Sequence, residues 1–205
     1  MTVVAQPSYL KVSRPDRLTT FDSACLIAGQ LALSASTFFW NADGSYSVNS
    51  ATIIILSMLF WAVGLQGLFG MFKDENPWYA RLGLLYAMYG CLGGIAFGFE
   101  GLFGEIFQSE SKIGLSAYEK FPLQMNLVLF WSGPAFPLSM LVLGGFLIYR
   151  KKATALTGVL LIVGAIAFPV SRIMRVEWIA HLADLVLLGG IILLVKKLAV
   201  DRGQS

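Results

Sequence analysis

Long apolar stretches alternate with short polar breaks along almost the whole chain. Each apolar stretch approaches or exceeds the roughly 20 residues that a helix needs to cross the hydrocarbon core of a bilayer. The pattern therefore predicts an all-α, polytopic membrane protein, a bundle of six transmembrane helices in a single domain. The predicted spans cover residues 21–40, 51–72, 78–103, 123–149, 153–173 and 176–195.

Turn and capping signals separate these spans. Asp22 lies at the start of the first span, where a carboxylate suits the positive end of the helix dipole. Residues 41–50, NADGSYSVNS, are rich in the residue types that form turns. Pro77 is placed to open the third helix, since proline is favoured at the first helical position. We expect a short interfacial helix in the longest break, residues 105–122.

The fourth span contains two prolines, Pro134 and Pro137, in the segment WSGPAFP. Each proline removes a backbone donor, so this helix is expected to kink or break there. Irregular backbone at membrane depth is tolerated where it is buried in protein or lines a wet cavity. The fourth helix is therefore the expected moving part of the protein.

Composition and charge agree with a membrane protein and exclude other classes. The 205 residues are 57% hydrophobic and 13% charged, whereas soluble domains carry roughly 25% charged residues. The net charge is only +3 and the basic residues sit at the ends of spans, which argues against a nucleic-acid groove. One histidine and two isolated cysteines, Cys25 and Cys91, provide neither a metal site nor haem ligation. We expect no cofactor.

The distribution of lysine and arginine predicts the orientation. With six spans, eleven of these residues fall on the side of both termini and four on the other side. Loops rich in Lys and Arg stay in the cytoplasm, so we expect both termini to be cytoplasmic. The predicted location is the bacterial inner (plasma) membrane.

Ionisable residues cluster between the fifth and sixth spans. An ionisable group near hydrocarbon costs at least a few kcal/mol unless it is paired or wet. Glu177, His181 and Asp184 are spaced to share one helix face, and Arg172 or Arg175 can pair with Glu177 or Asp184. The candidate ligand-binding residues, all expected on the extracytoplasmic side, are Glu100, Asn126, Arg172, Arg175, Glu177, His181 and Asp184.

Two interpretations of this cluster are open at the level of the sequence. The charges either form a salt-bridge network that locks helix ends, or they line a polar pocket for a small ligand or lipid. The second interpretation indicates a transporter or the binding subunit of a transporter. The six-span plan is similar to that of substrate-binding subunits of vitamin transporters, in architecture and without a shared motif.

Two further functions belong to other classes. Gly90, Gly94 and Gly98 are spaced one helical turn apart, which lets another helix approach closely. The chain would then be a non-catalytic subunit, binding a membrane partner or forming a homo-oligomer. The third hypothesis is a membrane enzyme that uses His181 with a carboxylate in acid–base chemistry. No G-x-S-x-G segment is present, and we assign no catalytic residue.

Overall fold

The computed structural model describes residues 18–107 and 118–203. Within these residues the chain is all-helical, as predicted, apart from short connections and an isolated bridge between Trp40 and Tyr46. A single 3₁₀ turn, Thr37–Phe39, continues the first helix. The six long helices are α1 (Thr20–Ser36), α2 (Val48–Gly70), α3 (Pro77–Ile106), α4 (Pro122–Tyr149), α5 (Ala155–Met174) and α6 (Glu177–Gly203).

Helices α2 to α6 are long and apolar enough to cross a membrane, judged by their length and composition. This finding confirms the prediction of an integral membrane protein with transmembrane helices. Helix α1 has 17 residues, at the short end of the roughly 17–25 residues of spanning helices. Helix α6 runs past the predicted end at residue 195 to Gly203.

Each helix packs against the next one along the chain, and α6 returns to pack against α1. Short connections make sequence neighbours antiparallel. At one end of the bundle, Glu75 forms ion pairs with Arg150, at 3.4 Å, and with Lys152. At the other end, the Asn41 amide donates a hydrogen bond to Glu105, at 3.1 Å. We call these the Glu75 end and the Asn41 end.

Side chains cap the N-termini of α1, α2, α3 and α5. The Thr19 hydroxyl accepts from the backbone N–H of Asp22, at 3.1 Å, and the Asp22 carboxylate accepts from the backbone N–H of Thr19, at 3.0 Å. This reciprocal pair is a capping box, and it confirms the predicted place of Asp22. Side chains of Ser47, Asn76 and Thr154 cap α2, α3 and α5.

Helix α4 is distorted near Pro134, as predicted, on the N-terminal side of that residue, whereas Pro137 lies within the regular α-helix Ser132–Tyr149. Residues Asn126–Phe130 form a π-helical segment, and the backbone N–H of Trp131 donates to the Asn126 carbonyl, five residues back, at 2.8 Å. Pro134 has no N–H to offer the carbonyl four residues before it. The hydrogen-bond ladder therefore changes register just before the prolines.

The glycines of α3 face helices of the same chain. A Cβ atom on Gly90 would lie 2.3 Å from the backbone nitrogen of Phe136 in α4. On Gly94 and Gly98 it would meet side chains of α2, those of Met58 and Ile55, at 2.6 and 2.5 Å. These three positions are therefore used for close packing within the bundle.

Several residues used in the orientation argument lie outside the described residues: Lys11, Arg14, Arg17 and Lys112. Most of the break in which we expected a short interfacial helix, residues 108–117, also lies outside them.

Candidate functional site

A cavity of about 1140 Å³ lies at the Asn41 end, between helices α2 to α5 and the loop that joins α1 to α2. Ligand pockets commonly measure roughly 300–1,000 Å³, so this cavity has room for a large organic molecule. Its lining divides into an apolar part toward the middle of the bundle and a polar part at the Asn41 end.

The floor of the cavity, formed by Met58, Phe97, Phe136 and Phe168, is aromatic and apolar. The rings of Phe136 and Phe168 meet edge to face, with centroids 6.0 Å apart. Behind them, the buried Trp61 packs against Phe136 at 5.0 Å. Gly90 and Gly94 also line this part, where a larger residue would take up space. The floor suits a hydrocarbon chain or an apolar ring.

The mouth of the cavity, formed by Asp43, Tyr46, Glu100, Arg172 and Arg175, is polar and charged. These side chains come from the loop between α1 and α2, from the last turns of α3, from α5 and from the turn after α5. Arg172 also forms a buried ion pair. Four charged side chains therefore meet around one opening.

The loop between α1 and α2 folds back over the cavity. The Asp43 carboxylate accepts from the backbone N–H of Ser45, at 2.9 Å, and from its hydroxyl, at 2.6 Å. These hydrogen bonds lower the pKa of Asp43. Gly44 has φ +76° and lies so close to Arg175 that a Cβ atom there would be 2.6 Å from the Arg175 Cβ. The loop is thus held against the turn between α5 and α6.

Asp184 lies behind the cavity wall and is fully buried. Its two carboxylate oxygens accept from Nη2 of Arg172, at 3.0 and 2.9 Å. The hydroxyl of the buried Thr37 donates to the same carboxylate, at 3.1 Å, and the Gln30 amide donates to the Asp184 backbone carbonyl, at 3.2 Å. Asp184 therefore ties α1, α5 and α6 together.

The Arg172 guanidinium is further fixed by aromatic rings. Its Cζ atom lies 4.5 Å from the centroid of the Phe168 ring and 5.2 Å from that of Trp40. An arginine over aromatic faces gains cation–π attraction. With Asp184 on one side and rings on the other, Arg172 forms a positioned part of the cavity wall.

Tyr46 occupies the centre of the charged groups. Burial raises the pKa of its hydroxyl, and the Arg172 and Arg175 guanidiniums oppose that rise. The carboxylates of Asp184 and Glu100 add to it. The Tyr46 hydroxyl is thus within electrostatic range of three charged residues of the mouth and of Asp184 behind it.

Three of the seven predicted site residues line the cavity: Glu100, Arg172 and Arg175. Asp184 does not line the cavity itself, but it forms an ion pair with Arg172, which does. The two carboxylates therefore face different neighbours: that of Asp184 is paired with Arg172, whereas Arg175 is the positive charge that acts on Glu100.

The other three predicted residues do not line the cavity. The Glu177 side chain is 62% exposed and lies 3.4 Å from the His181 ring nitrogen. The His181 ring packs against Phe38, with centroids 4.1 Å apart. Asn126 belongs to the π-helical segment of α4. The structure thus separates one continuous polar stretch of sequence into a cavity wall and an outer surface.

Trp40, Asp43 and Tyr46, which belong to the mouth or lie beside it, were not among the predicted site residues. Residues 41–50 have the composition of a simple turn, and a polar loop gives no sign that it folds inward. The aromatic side chain of Tyr46 within this polar loop is the one available signal.

Among the residues that the structure describes, no group of three or more His, Cys, Asp or Glu is arranged to hold a metal ion. No family model, curated protein or solved structure matches this chain. The cavity and its chemistry are therefore the observations that bear on function.

Proposed function

We propose that this chain is a six-span protein of the bacterial inner membrane that holds an amphiphilic small molecule or lipid in the cavity at the Asn41 end. Its role is that of a transporter or of the binding subunit of a transporter. The observation that carries the proposal is the division of one large cavity into an aromatic floor and a charged mouth.

This division matches the two parts of an amphiphile. Hydrocarbon buried against the floor gains roughly 0.8 kcal/mol for each CH₂ group removed from water. A polar head at the mouth can exchange hydrogen bonds with water for hydrogen bonds with charged side chains, which are worth roughly 1.5–3 kcal/mol each. A soluble polar metabolite would leave the floor unused.

The orientation proposed from the Lys and Arg counts places the Asn41 end on the extracytoplasmic side. The Glu75 end carries Arg150, Lys151 and Lys152, as expected of a cytoplasmic face. The ligand would then enter from the periplasmic side or from the outer leaflet of the membrane.

Helix α4 supports a role that involves movement. Two residues of its π-helical segment, Leu129 and Phe130, line the cavity, and so does Pro134. Segments with altered hydrogen-bond register are frequent at functional sites. A change in this segment would alter the shape of the cavity, which is what release of a bound molecule requires.

A variant that fills the floor tests the proposal. Met58→Trp would occupy the space, and Leu59→Trp, at the neighbouring position of α2, is the matched control because Leu59 is 55% exposed on the outside of the bundle. Wild-type and variant proteins would be exposed to a total bacterial lipid extract, repurified, and analysed by native mass spectrometry and lipid extraction.

We expect wild type and Leu59→Trp to retain a bound amphiphile, and Met58→Trp to lose it. If Met58→Trp unfolds, Phe97→Trp replaces it, since Phe97 belongs to the floor and is only partly buried. Equal amounts of bound lipid in wild type and in a folded filling variant would reject the proposal, as would a wild-type protein that binds nothing.

A further inference from the structure

The mouth of the cavity contains a positive and a negative side chain that are not paired with each other. Arg172 is committed to Asp184, so its charge is already balanced. Among the described residues, Arg175 and Glu100 have neither a hydrogen bond from their side chains nor an ion pair, although both line the cavity. These two unpaired charges indicate which chemical groups a ligand would have to supply.

Arg175 is held in place by its backbone. It follows α5 in the left-handed conformation, with φ 53°, and its N–H donates to the Ser171 carbonyl, at 3.0 Å. Gly44 packs against its Cβ. The guanidinium offers five N–H donors, and Asp43 and Glu100 act on it only at longer range. These donors are available to a ligand.

Glu100 differs from the other carboxylates of the mouth in its hydrogen bonds. Asp43 accepts from Ser45, and the neighbouring Glu105 accepts from Asn41. Within residues 18–107 and 118–203, no donor forms such a hydrogen bond to Glu100, and Arg175 is the positive charge that acts on it. A carboxylate in the last third of a membrane helix needs a partner or water.

A third polar group lies at the same place. The indole Nε1 of Trp40 is buried and has no hydrogen-bond partner in the part of the chain that the structure describes, and Trp40 lines the cavity beside Arg172. A buried donor that stays unpaired costs roughly 1–3 kcal/mol. An acceptor atom supplied by a ligand would remove that cost.

We propose that the ligand is a zwitterionic amphiphile, with an ammonium group that binds Glu100 and an oxyanion that binds Arg175 and accepts from the Trp40 indole. Its apolar chain lies on the floor. A phospholipid or lysophospholipid whose head joins an amine to a phosphate has this chemistry. The inference rests on the proposed function and specifies its ligand.

Charge at the mouth favours a zwitterion over an anion. With Arg172 and Asp184 balancing each other, Arg175 shares the lining of the cavity with three carboxylates, those of Asp43, Glu100 and Glu105. A purely anionic head would meet this excess of negative charge. A purely cationic head would leave the donors of Arg175 and Trp40 unpaired, since a cation has no acceptor to offer.

The experiment compares ligands that share one chain length: lysophosphatidylethanolamine, lysophosphatidylglycerol and the corresponding alkylamine. Phosphoethanolamine, the head without a chain, tests a free solute as the source.

Binding to the purified full-length protein would be titrated by native mass spectrometry, with thermal stabilisation as a second readout. The variants are Glu100→Gln, Arg175→Gln and Arg175→Lys. Glu177→Gln is the control, because Glu177 lies at the same end but outside the cavity.

We expect the wild type to prefer lysophosphatidylethanolamine over both other lipids by about tenfold or more, the size of one charge-assisted hydrogen bond. Glu100→Gln should remove the preference over lysophosphatidylglycerol, and Arg175→Gln the preference over the alkylamine. Arg175→Lys and Glu177→Gln should keep both preferences. Retention of both preferences in the two neutralised variants would overturn the assignment of these residues.

Other outcomes separate this inference from the proposed function. Equal binding of all three lipids by the wild type would overturn the assignment of a zwitterionic head group. The proposal that the cavity holds an amphiphile would still stand. Binding of none of them, together with empty wild-type protein after lipid exposure, would reject both. Phosphoethanolamine binding as tightly as its lysolipid would overturn the lipid as the source.

Discussion

Arg172 holds both carboxylate oxygens of Asp184, at 3.0 and 2.9 Å, where the Asp184 side chain has no exposed surface. The pair joins α5 to α6, and Thr37 extends it to α1. The same guanidinium forms part of the cavity wall. The charged cluster between the fifth and sixth spans therefore serves two purposes, a buried link between helices and one side of a cavity.

Asp184→Ala should destabilise the protein strongly, because Arg172 would stay buried without its partner. Breaking a buried ion pair from one side costs roughly 3–5 kcal/mol. The double variant Arg172→Met/Asp184→Leu should be more stable than Asp184→Ala, since neither charge is left alone. Unfolding in detergent would be followed by circular dichroism, with Glu177→Gln as the control expected to match wild type. Arg172→Met and Asp184→Leu, each made alone, complete the cycle. A loss in the double variant equal to the sum of these two losses would show that the two side chains do not interact.

Gly44→Ala should loosen the loop over the cavity. Alanine is strained at φ +76°, and its Cβ would lie 2.6 Å from the Cβ of Arg175. We expect a loss of stability of about 1 kcal/mol or more. Gly145→Ala is the control, because a Cβ there meets nothing within 4 Å and alanine favours a helix by roughly 0.5–1 kcal/mol. Melting temperatures of the two variants should move in opposite directions, and equal shifts would contradict the packing of the loop.

Gly90→Ala should cost more than Gly94→Ala. The added methyl group at Gly90 meets the Phe136 backbone, whereas at Gly94 it meets the flexible side chain of Met58. Overpacking against backbone typically costs roughly 1–3 kcal/mol. Thermal unfolding gives the stability, and light scattering gives the oligomeric state. An altered oligomeric state with unchanged stability would favour the alternative in which these glycines contact a second chain.

Glu75→Gln should lower stability at neutral pH and make no difference in acid. The Lys152 hydrogen bond lowers the pKa of Glu75, and Arg150 adds to this effect. A lowered folded-state pKa gives stability that is present above the unfolded pKa and lost as pH falls through the folded pKa. The side chains are about one-third exposed, so the effect should be below about 1 kcal/mol.

The measurement is the gap in melting temperature between wild type and Glu75→Gln at pH 7 and at a series of lower pH values that passes through the lowered folded-state pKa of Glu75. Asp74→Asn changes the adjacent exposed residue and is the matched control, with no gap expected at any of these pH values. A gap that persists in acid would mean that the carboxylate charge is not its cause.

The sequence by itself determined the helices, because twenty apolar residues in a row leave the backbone no other way to satisfy its hydrogen bonds in a membrane. It also determined the cap at Asp22 and the irregular α4, since both follow from local chemistry. It indicated that Arg172 or Arg175 would pair with Glu177 or Asp184, because two helices joined by a short turn must be neighbours.

Only the tertiary structure decided which of these residues share a cavity. Arg172 and Arg175 are close in sequence and both line the cavity. Arg172 is paired with Asp184, whereas the donors of Arg175 are available at the mouth. Glu100 and Tyr46 come from distant parts of the chain, and local pattern cannot bring them together. Such contacts depend on how the helices pack around one another, which no single segment encodes.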